Sequence, residues 1–487
     1  MDRMSPLDAA FLEAEDEDLH TSMACAATGI FEGAAPTQDV IFDLIRQALP
    51  LIPRYRQKVR RVPYDLGRPV WVDDPHFLLD YHLRRTALPR PGTMAQLRSL
   101  VSRLMAQRLD RERPLWEIWV IEGLESGDWA LLTKVHHCMV DGVSGTDLLG
   151  VMLEPHEGAP TTGQWTPATE PSETRILAGA LGNLVLDPLR GLNALRRNLA
   201  SPRPFLRRVA DTGRGSLMLA RTVWPVRRSS LLGTIGQQRR YEWARAPLAD
   251  IKIVRGAFGG TLNDVVLTVI TGAFRSLLQA RGEPLDPHSV RSLVPVSARA
   301  PGQEHTYDNR VSLLLPYLPI EIEDPVARLA EVRKRMTDLK ASKEAVAGEA
   351  MTALAAFEPF PLVSLGTRLG FRVPQRTIVT VTTNVPGPRH RLQAAGHPMR
   401  ELFPYVPISS TVRVGIAIYS YGEELTFGIT GDYDTAADLD VLSQAIENDL
   451  ARLVQAAAPA RSVPAPSSAA GVVHTASPRT SASRHAG

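Results

Sequence analysis

One short stretch, residues 129–142, constrains the fold and the chemistry of this 487-residue chain more than any other. The apolar run Trp129-Ala130-Leu131-Leu132 leads into two adjacent histidines, His136 and His137, and an Asp-Gly pair follows at positions 141 and 142. A short apolar run before a turn signal predicts a buried β-strand. Since successive side chains on a strand point to opposite faces, only one histidine can face a given cavity. We predict that one imidazole is a general base and that the other points into the scaffold.

The other side chains of this stretch admit more than one interpretation. Asp141 is near enough along the chain to fix the tautomer of an imidazole or to pair with a distant arginine, and Gly142 allows a turn that a Cβ would obstruct. Histidine and aspartate also bind metals, but no cysteine pair or His-Glu-x-x-His spacing completes a site, so we predict no metal. Cys138 is predicted to be a small buried hydrophobic residue rather than a nucleophile paired with histidine.

The motif His136-His137-x-x-x-Asp141-Gly142 resembles the signature of acyl-CoA-dependent acyltransferases of the chloramphenicol acetyltransferase-like superfamily. Its surroundings are similar to the bacterial wax ester synthase/diacylglycerol acyltransferase family, and within it to the actinobacterial triacylglycerol synthases. The similar motifs are, in chain order, Met4-Ser5-Pro6-Leu7-Asp8 with Phe11-Leu12, Pro114-Leu115-Trp116-Glu117, Asn263-Asp264-Val265-Val266-Leu267, Val294-Pro295-Val296-Ser297, Asp308-Asn309-Arg310-Val311-Ser312 and Thr383-Asn384-Val385-Pro386-Gly387-Pro388. Thr383 and Asp308 are mild departures, because many relatives carry Ser and Gly there. The resemblance covers nearly the whole chain.

This resemblance implies an α+β fold of two facing halves with a central tunnel, in which acyl-CoA and an acceptor alcohol meet at a histidine. His137 would accept the proton of the acceptor hydroxyl and return it to the departing thiolate, without an acyl-enzyme. His136 would orient the strand, and Asp141 would fix the geometry through a charged partner. The implied donor is a long-chain acyl-CoA, which is a co-substrate rather than a cofactor. The implied acceptor is diacylglycerol, and the product is triacylglycerol.

Three alternatives stay open at this point. A wax ester synthase would use a long-chain alcohol as acceptor, and a condensation or acetyl-transfer enzyme of the same fold would use a soluble one. A non-catalytic lipid-binding or droplet-coat protein belongs to another class. The complete histidine motif argues against that class, because a coat protein has no use for a buried base.

Two further motifs have both a structural and a functional interpretation. Pro114, Leu115 and Trp116 fit a helix stop followed by core packing, and the resemblance places them beside the active site. Asn263 and Asp264 fall in the first turn of a predicted helix, where both residue types are favoured as caps. The resemblance places this pair at the interface between the halves, near the catalytic site.

A third motif lies at the end of a predicted β-branched strand. Thr382, Thr383 and Asn384 precede a rigid Pro-Gly turn, which is first of all a structural element. The resemblance places this strand across the acyl channel, where either threonine hydroxyl is able to bind an oxyanion.

A chain of this length is expected to form more than one domain. We predict an N-terminal domain over residues 1–154, a linker and basic connector over 155–240, a C-terminal domain over 241–456 and a disordered tail over 457–487. Periodicity predicts strands at 21–33, around Trp71 and His82, and at 116–124, 129–136, 290–296, 309–315, 377–383, 412–419 and 424–430. It predicts helices at 37–49, 93–111, 144–153, 262–279, 324–339, 345–357 and 437–454. Residues 155–172, rich in Pro, Thr and Gly, are predicted to be flexible.

The net charge of +3 conceals an arginine-rich segment, in which residues 175–240 carry thirteen Arg and two Asp. Apolar residues between the arginines suit a membrane surface or, equally, a solvated helical connector. Few aromatics interleave with them, which argues against nucleic acid. Two cysteines fit a reducing compartment, and neither a secretory signal nor a membrane-spanning window is visible. We therefore expect a cytoplasmic enzyme that associates peripherally with the inner membrane or lipid droplets.

Overall fold

The computed structural model describes residues 2–140, 150, 153, 165–182, 226–227, 229–297, 311–341, 375–388 and 390–458. Within these ranges the chain forms two six-stranded sheets and one three-stranded sheet, with helices packed against them. Several predictions lie outside the described residues: the helix at 345–357, most of the helix at 144–153, most of the basic segment, and the tail beyond residue 458.

The elements of the first half begin with a short strand at the amino terminus. In chain order they are β1 (Asp2–Arg3), α1 (Pro6–Glu17), β2 (Ala24–Phe31), α2 (Gln38–Ala48), β3 (Gln57–Arg60), β4 (Val70–Asp73), α3 (Leu79–His82), β5 (Leu83–Ala87), α4 (Met94–Ala106), β6 (Trp116–Glu122) and β7 (Trp129–His136). The short strands β1, β4 and β3 form the three-stranded sheet.

The described elements of the second half follow the basic segment. In chain order they are β8 (Arg239–Pro247), α5 (Leu248–Phe258), α6 (Leu262–Ala280), β9 (Ser292–Ser297), β10 (Val311–Leu314), α7 (Pro325–Ala341), β11 (Thr380–Val385), β12 (Gln393–Ala394), β13 (His397–Tyr405), β14 (Val414–Tyr421), β15 (Glu424–Asp432) and α8 (Leu439–Ala457). One six-stranded sheet has the order β12-β13-β2-β7-β6-β5, and the other has the order β10-β9-β11-β14-β15-β8.

Strand β7 lies inside the first sheet and pairs antiparallel with β2 on one side and β6 on the other. Both of its faces are buried. Leu132 belongs to the apolar cluster that contains Leu12 of α1 and Leu97 of α4, whereas Leu131 belongs to the cluster of Ile41 on α2. A strand covered on both faces has a continuous apolar run instead of an alternating one. The predicted buried strand is thereby confirmed.

Two strands from the second half, β12 and β13, complete the first sheet. Strand β13 pairs antiparallel with β2, so residues 393–405 lie in the sheet of the first half, while the domain division at residues 154, 240 and 456 stays a prediction. The ring of Phe403 on β13 stacks on Trp243 of β8, with centroids 4.1 Å apart. A Cβ on Gly428 of β15 would lie 1.6 Å from the Pro404 carbonyl oxygen. The two six-stranded sheets therefore meet at very short range along β13.

Helix α4 begins where it was predicted to begin but ends early. Thr93 is its N-cap, and Thr93 and Gln96 form a reciprocal capping box. The predicted helix over 93–111 stops at residue 106, where Gln107 is extended. The buried ammonium of Lys134 donates to the carbonyls of Leu104 (2.8 Å) and Gln107 (2.6 Å). These carbonyls have no helical partner at the end of a helix, and a cation there is favoured by the helix dipole.

The structure refines two further predictions in the first half. The short strands predicted around Trp71 and His82 are β4 and β5, but His82 itself ends the helical turn α3 just before β5, and its Nδ1 lies 2.8 Å from the Trp116 carbonyl oxygen. Residues 165–172, part of the predicted flexible linker, are anchored on the small sheet. The Ala168 amide donates to Asp73 (3.0 Å), and Glu170 pairs with Arg60 at 2.8 Å.

The second half is built around helix α6, whose apolar residues are buried against α7, α8 and the second sheet. The predicted strands β9, β10, β11, β14 and β15 and the helices α6, α7 and α8 are confirmed, with shifted ends. Among the described residues no single helix has the length and apolar character needed to cross a membrane. Helices α5 and α6 meet that criterion only as a pair, with a bend of 102° between them.

Candidate active site

The two histidines lie where strand β7 ends and a short turn begins. The His136 amide, at the last position of β7, donates to the Leu115 carbonyl at 2.9 Å. Residues 137–139 then form a single 3₁₀ turn, and the His137 amide donates to the Met23 carbonyl at 2.9 Å. Backbone bonds from two neighbouring segments thus fix both histidines. The turn, rather than strand alternation alone, separates the directions of the two side chains.

His136 is fully buried, and its tautomer follows from its partners. The Cys138 amide donates to His136 Nδ1 at 3.2 Å, and the Cys138 Sγ atom lies 3.0 Å from the same nitrogen. Since Nδ1 accepts a hydrogen bond, the proton of the neutral ring is on Nε2, which lies 3.5 Å from Glu15 Oε2. Burial lowers the pKa of His136 below its usual range, so the ring is neutral at pH 7. This histidine points into the scaffold.

Glu15 on α1 is a buried carboxylate that connects the histidine turn to the helix. Its Oε1 atom accepts the Met23 amide at 3.0 Å, and its Oε2 atom contacts the guanidinium of Arg111. Burial alone would raise the pKa of Glu15, but the neighbouring His136 ring, the charge of Arg111 and the Met23 amide together lower it to about 2. The sequence analysis did not identify Glu15, because nothing in its spacing links it to residues 136 and 137.

His137 is only partly buried, and its ring lies against the aromatic ring of Phe11 on α1. The two ring centroids are 4.0 Å apart, with a tilt of 35° between the planes. Burial, with a contribution from neighbouring His136, lowers the pKa of His137 to about 4. The imidazole is therefore neutral at pH 7 and able to accept a proton. Asp141 and Gly142, the other predicted residues of the motif, lie outside the described residues.

Pro114, Leu115 and Trp116 are all buried and lie next to the histidine strand. Leu115 supplies the carbonyl that accepts the His136 amide. The indole nitrogen of Trp116 donates to the Tyr55 carbonyl at 2.8 Å, and its ring stacks on His82 with centroids 4.4 Å apart. These three residues therefore belong to the core, and the Leu115 carbonyl also holds the end of β7.

The predicted residues of the second half form a separate group. Asp264 caps helix α6, because its carboxylate accepts the amide (2.7 Å) and the hydroxyl (2.8 Å) of Thr261. Asn263 accepts a hydrogen bond from the Asn384 side-chain amide, which joins the start of α6 to the end of β11. Capping therefore accounts for Asp264, whereas Asn263 and Asn384 tie two elements together.

The two threonines of β11 face opposite sides of the second sheet. Thr382 is 2% exposed, and its hydroxyl accepts a hydrogen bond from Ser292 at 2.8 Å. Thr383 is partly exposed on the other face. Of the two hydroxyls proposed to bind an oxyanion, that of Thr383 is the more accessible. Metal binding is a separate question: within the described ranges, no group of three or more His, Cys, Asp or Glu side chains is arranged to hold a metal ion.

The fold and the neutral histidine at the end of a buried strand agree with the class that the sequence resemblance implies, the acyltransferases with a chloramphenicol acetyltransferase-like fold. Comparison with known proteins narrows the class. The model for the wax ester synthase/diacylglycerol acyltransferase catalytic domain matches residues 4–266, and the model for the C-terminal domain of the same family matches residues 307–454. The chain belongs to this family and is an acyltransferase. The predicted family and the predicted α+β fold are confirmed.

Individual relatives agree with this assignment. A protein of Mycobacterium tuberculosis named a probable diacylglycerol O-acyltransferase, tgs1, is 42% identical over 454 residues, which are 93% of this chain and 96% of the relative. The solved wax ester synthase/diacylglycerol acyltransferase from Marinobacter aquaeolei VT8 is 26% identical, with a TM-score of 0.63, and the match covers 94% of this chain and all of that chain. The first condensation domain of the calcium-dependent antibiotic synthetase shares the fold alone, at 16% identity, a TM-score of 0.58 and coverage of 94% and 96%.

Proposed function

We propose that the protein transfers a long-chain acyl group from acyl-CoA to diacylglycerol and so forms triacylglycerol. The relative that is 42% identical carries the name of a diacylglycerol O-acyltransferase, which supports this acceptor. The observation that carries the mechanism is the neutral, partly exposed imidazole of His137 beside a buried His136. One histidine is thus available to substrate, and the other belongs to the scaffold.

In the proposed reaction His137 acts as a general base. It accepts the proton of the acceptor hydroxyl while that oxygen attacks the thioester carbonyl. The carbon–sulfur bond then breaks, and His137 returns the proton to the CoA thiolate. No acyl-enzyme forms, because the thioester is already activated and a positioned base suffices. No cofactor takes part, and acyl-CoA is a co-substrate.

The remaining predicted residues have supporting roles in this proposal. Asp141 would hold the histidine turn through a charged partner, and Gly142 would allow the chain to turn after it. The partly exposed hydroxyl of Thr383 would bind the oxyanion in a tunnel between the halves. Because diacylglycerol resides in membranes, the enzyme would work at the inner membrane or a lipid droplet. The arginines of residues 175–240 would support that attachment by binding lipid phosphates.

The first test is an assay of purified full-length protein with palmitoyl-CoA and dioleoylglycerol, in which free thiol and neutral lipid are measured together. We expect equal amounts of thiol and triacylglycerol. Replacing a general base typically costs about 10²- to 10⁴-fold in rate, so His137→Ala should lose nearly all turnover. His76→Ala is the matched control, because His76 is an exposed histidine of the first half.

Each outcome of this assay separates the candidates. Thiol release without triacylglycerol, together with wax ester formation when hexadecanol is supplied, would identify a wax ester synthase. The family description includes that activity, and its chemistry at His137 is the same. An active His137→Ala variant would contradict the proposed base. A wild-type protein that releases no thiol with either acceptor but binds lipid would favour a non-catalytic lipid-binding protein.

A further inference from the structure

Helix α1 contributes two side chains, one turn apart, to the histidine turn. Phe11 contacts the ring of His137, and Glu15 faces the ring of His136. Residues four apart on a helix lie on the same face, so this face of α1 packs along residues 136 to 138. Glu15 acts on the buried histidine. Phe11, in contrast, contacts the ring of the proposed base itself.

Helix α1 is held in place independently of Phe11. At its start, the Met4 amide donates to the Pro69 carbonyl at 2.9 Å, and Ser5 accepts the Asp8 amide at 3.1 Å as N-cap. At its end, Asp16 pairs with Arg61. Because both ends are anchored, the position of the Phe11 ring is set by the helix. Exchanging this one side chain should leave the helix where it is.

We propose that Phe11 is a positioning residue for His137: its ring holds the imidazole of the base in one orientation and keeps water from the face that it covers. This inference rests on the proposed role of His137 as the base. The 4.0 Å centroid distance leaves no room for water between the rings, and the imidazole would otherwise rotate about its side-chain bonds. Orientation of a catalytic group contributes strongly to rate, and a misplacement of about 1 Å can cost about 100-fold.

The charged and titratable groups around this turn are few in the described part of the chain. They are His136 and Cys138 on the turn itself, Asp8 and Glu15 on α1, Cys25 on β2, and Arg111 beside Glu15. Burial is the largest cause of the lowered pKa of His137. Removing the ring that covers one face of the imidazole should therefore raise the pKa of His137 toward 6.5, without any change in the charged groups.

The experiment compares Phe11→Leu, Phe11→Ala and Phe11→Tyr with the wild type in the full-length protein. Phe42→Leu is the matched control, because Phe42 is a partly buried phenylalanine on helix α2, which packs on the opposite face of β7 from α1. The first readout is the pH dependence of kcat/KM for acyl transfer. The second is the rate at which diethyl pyrocarbonate modifies His137 as a function of pH, measured by mass spectrometry, since this reagent reacts with neutral imidazole.

We expect Phe11→Leu and Phe11→Ala to lower kcat by about 10- to 100-fold. Both variants should also raise the pKa of the acid limb in the pH dependence of kcat/KM, and raise the apparent pKa of His137 in the modification profile. Phe11→Tyr keeps the ring and should restore most of the rate, and Phe42→Leu should behave as wild type. A Phe11→Leu variant with wild-type kcat and an unshifted modification profile would overturn the proposal.

The two readouts also separate this proposal from the proposed function. If the wild type transfers no acyl group, the proposed function fails, but the modification profile still reports whether Phe11 shields His137. If Phe11→Ala unfolds, which thermal unfolding would reveal, the comparison of Phe11→Leu with Phe11→Tyr decides. A loss of rate in Phe11→Leu without any change in the modification profile would contradict a role in shielding the imidazole.

Discussion

Replacing Glu15 by glutamine tests how the buried histidine is held. One oxygen of Glu15 accepts the Met23 amide, and the other faces Arg111 and His136. A glutamine side chain has one oxygen and one NH2 group. Its NH2 group would face the N–H donors of Arg111 and His136 and could not accept a hydrogen bond from either. The variant should therefore be less stable than the wild type, and the loss should depend on pH.

The magnitude follows from the lowered pKa of Glu15. A fall from 4.5 in the unfolded chain to about 2 in the folded protein corresponds to about 3 kcal/mol of stability at neutral pH. Because the folded pKa lies below the unfolded one, this stability is fully present above about pH 5 and is lost as the pH falls toward 2. The exposed Glu125 provides a matched control for the same chemical change.

The assay is urea-induced unfolding of wild type, Glu15→Gln and Glu125→Gln, followed by tryptophan fluorescence at pH 6 and pH 3. We expect Glu15→Gln to lose about 3 kcal/mol at pH 6 and less than half of that at pH 3. Glu125→Gln should match the wild type at both pH values. A loss below about 1 kcal/mol at pH 6, or the same loss at both pH values, would refute the assignment of Glu15 as the ionised partner of the histidine turn.

Two glycines give further predictions. A Cβ at Gly272 would lie 1.8 Å from Asp449 Oδ2 and would break the buried ion pair between Asp449 and Arg328. Gly272→Ala should therefore lose about 3–5 kcal/mol of unfolding free energy, measured by urea-induced unfolding. Gly256→Ala is the control and should keep its stability, because a Cβ at Gly256 would have no heavy atom within 4 Å. A Cβ at Gly428 would lie 1.6 Å from the Pro404 carbonyl oxygen, so Gly428→Ala should separate β15 from β13 and increase cleavage between the halves in limited proteolysis. Wild-type proteolysis of that variant would contradict the close contact.

The strands that the sequence predicts correctly are those whose pattern is local. β7 begins with the continuous apolar run at residues 129–132, and β14 and β15 form a hairpin of apolar and β-branched residues joined by a Gly-containing turn. Strand β13 was not predicted, because it contains Pro398 and Pro404, and proline ordinarily argues against a strand. Its partner β2 is more than 360 residues away along the chain. Local periodicity contains no information about such a pairing.

The same distinction applies to the candidate site. His136 and His137 are identifiable from sequence, because an adjacent pair after an apolar run is unusual. Glu15 and Arg111 are not, since they reach the turn from elements distant in sequence, and a buried carboxylate on a helix looks like any acidic residue of that helix. The sequence predicts an end of α4 beyond residue 106 for a related reason. The ammonium group that donates to the last carbonyls of α4 belongs to Lys134 on β7, which is distant along the chain.

The structure also changes the physical reason why only one histidine serves as the proposed base. Alternation along a strand would point the two rings to opposite faces, but β7 ends at His136, and the turn at residues 137–139 directs His137. The residue before that turn must be fixed, and His136 is fixed by two hydrogen bonds. Its Nδ1 atom accepts the Cys138 amide, and its own amide donates to the Leu115 carbonyl. A side chain at position 136 that cannot accept a hydrogen bond from the Cys138 amide would no longer hold the turn, and the proposed base His137 would lose its fixed position with it. The adjacency of the two histidines is thus explained by geometry: the first fixes the turn that carries the second.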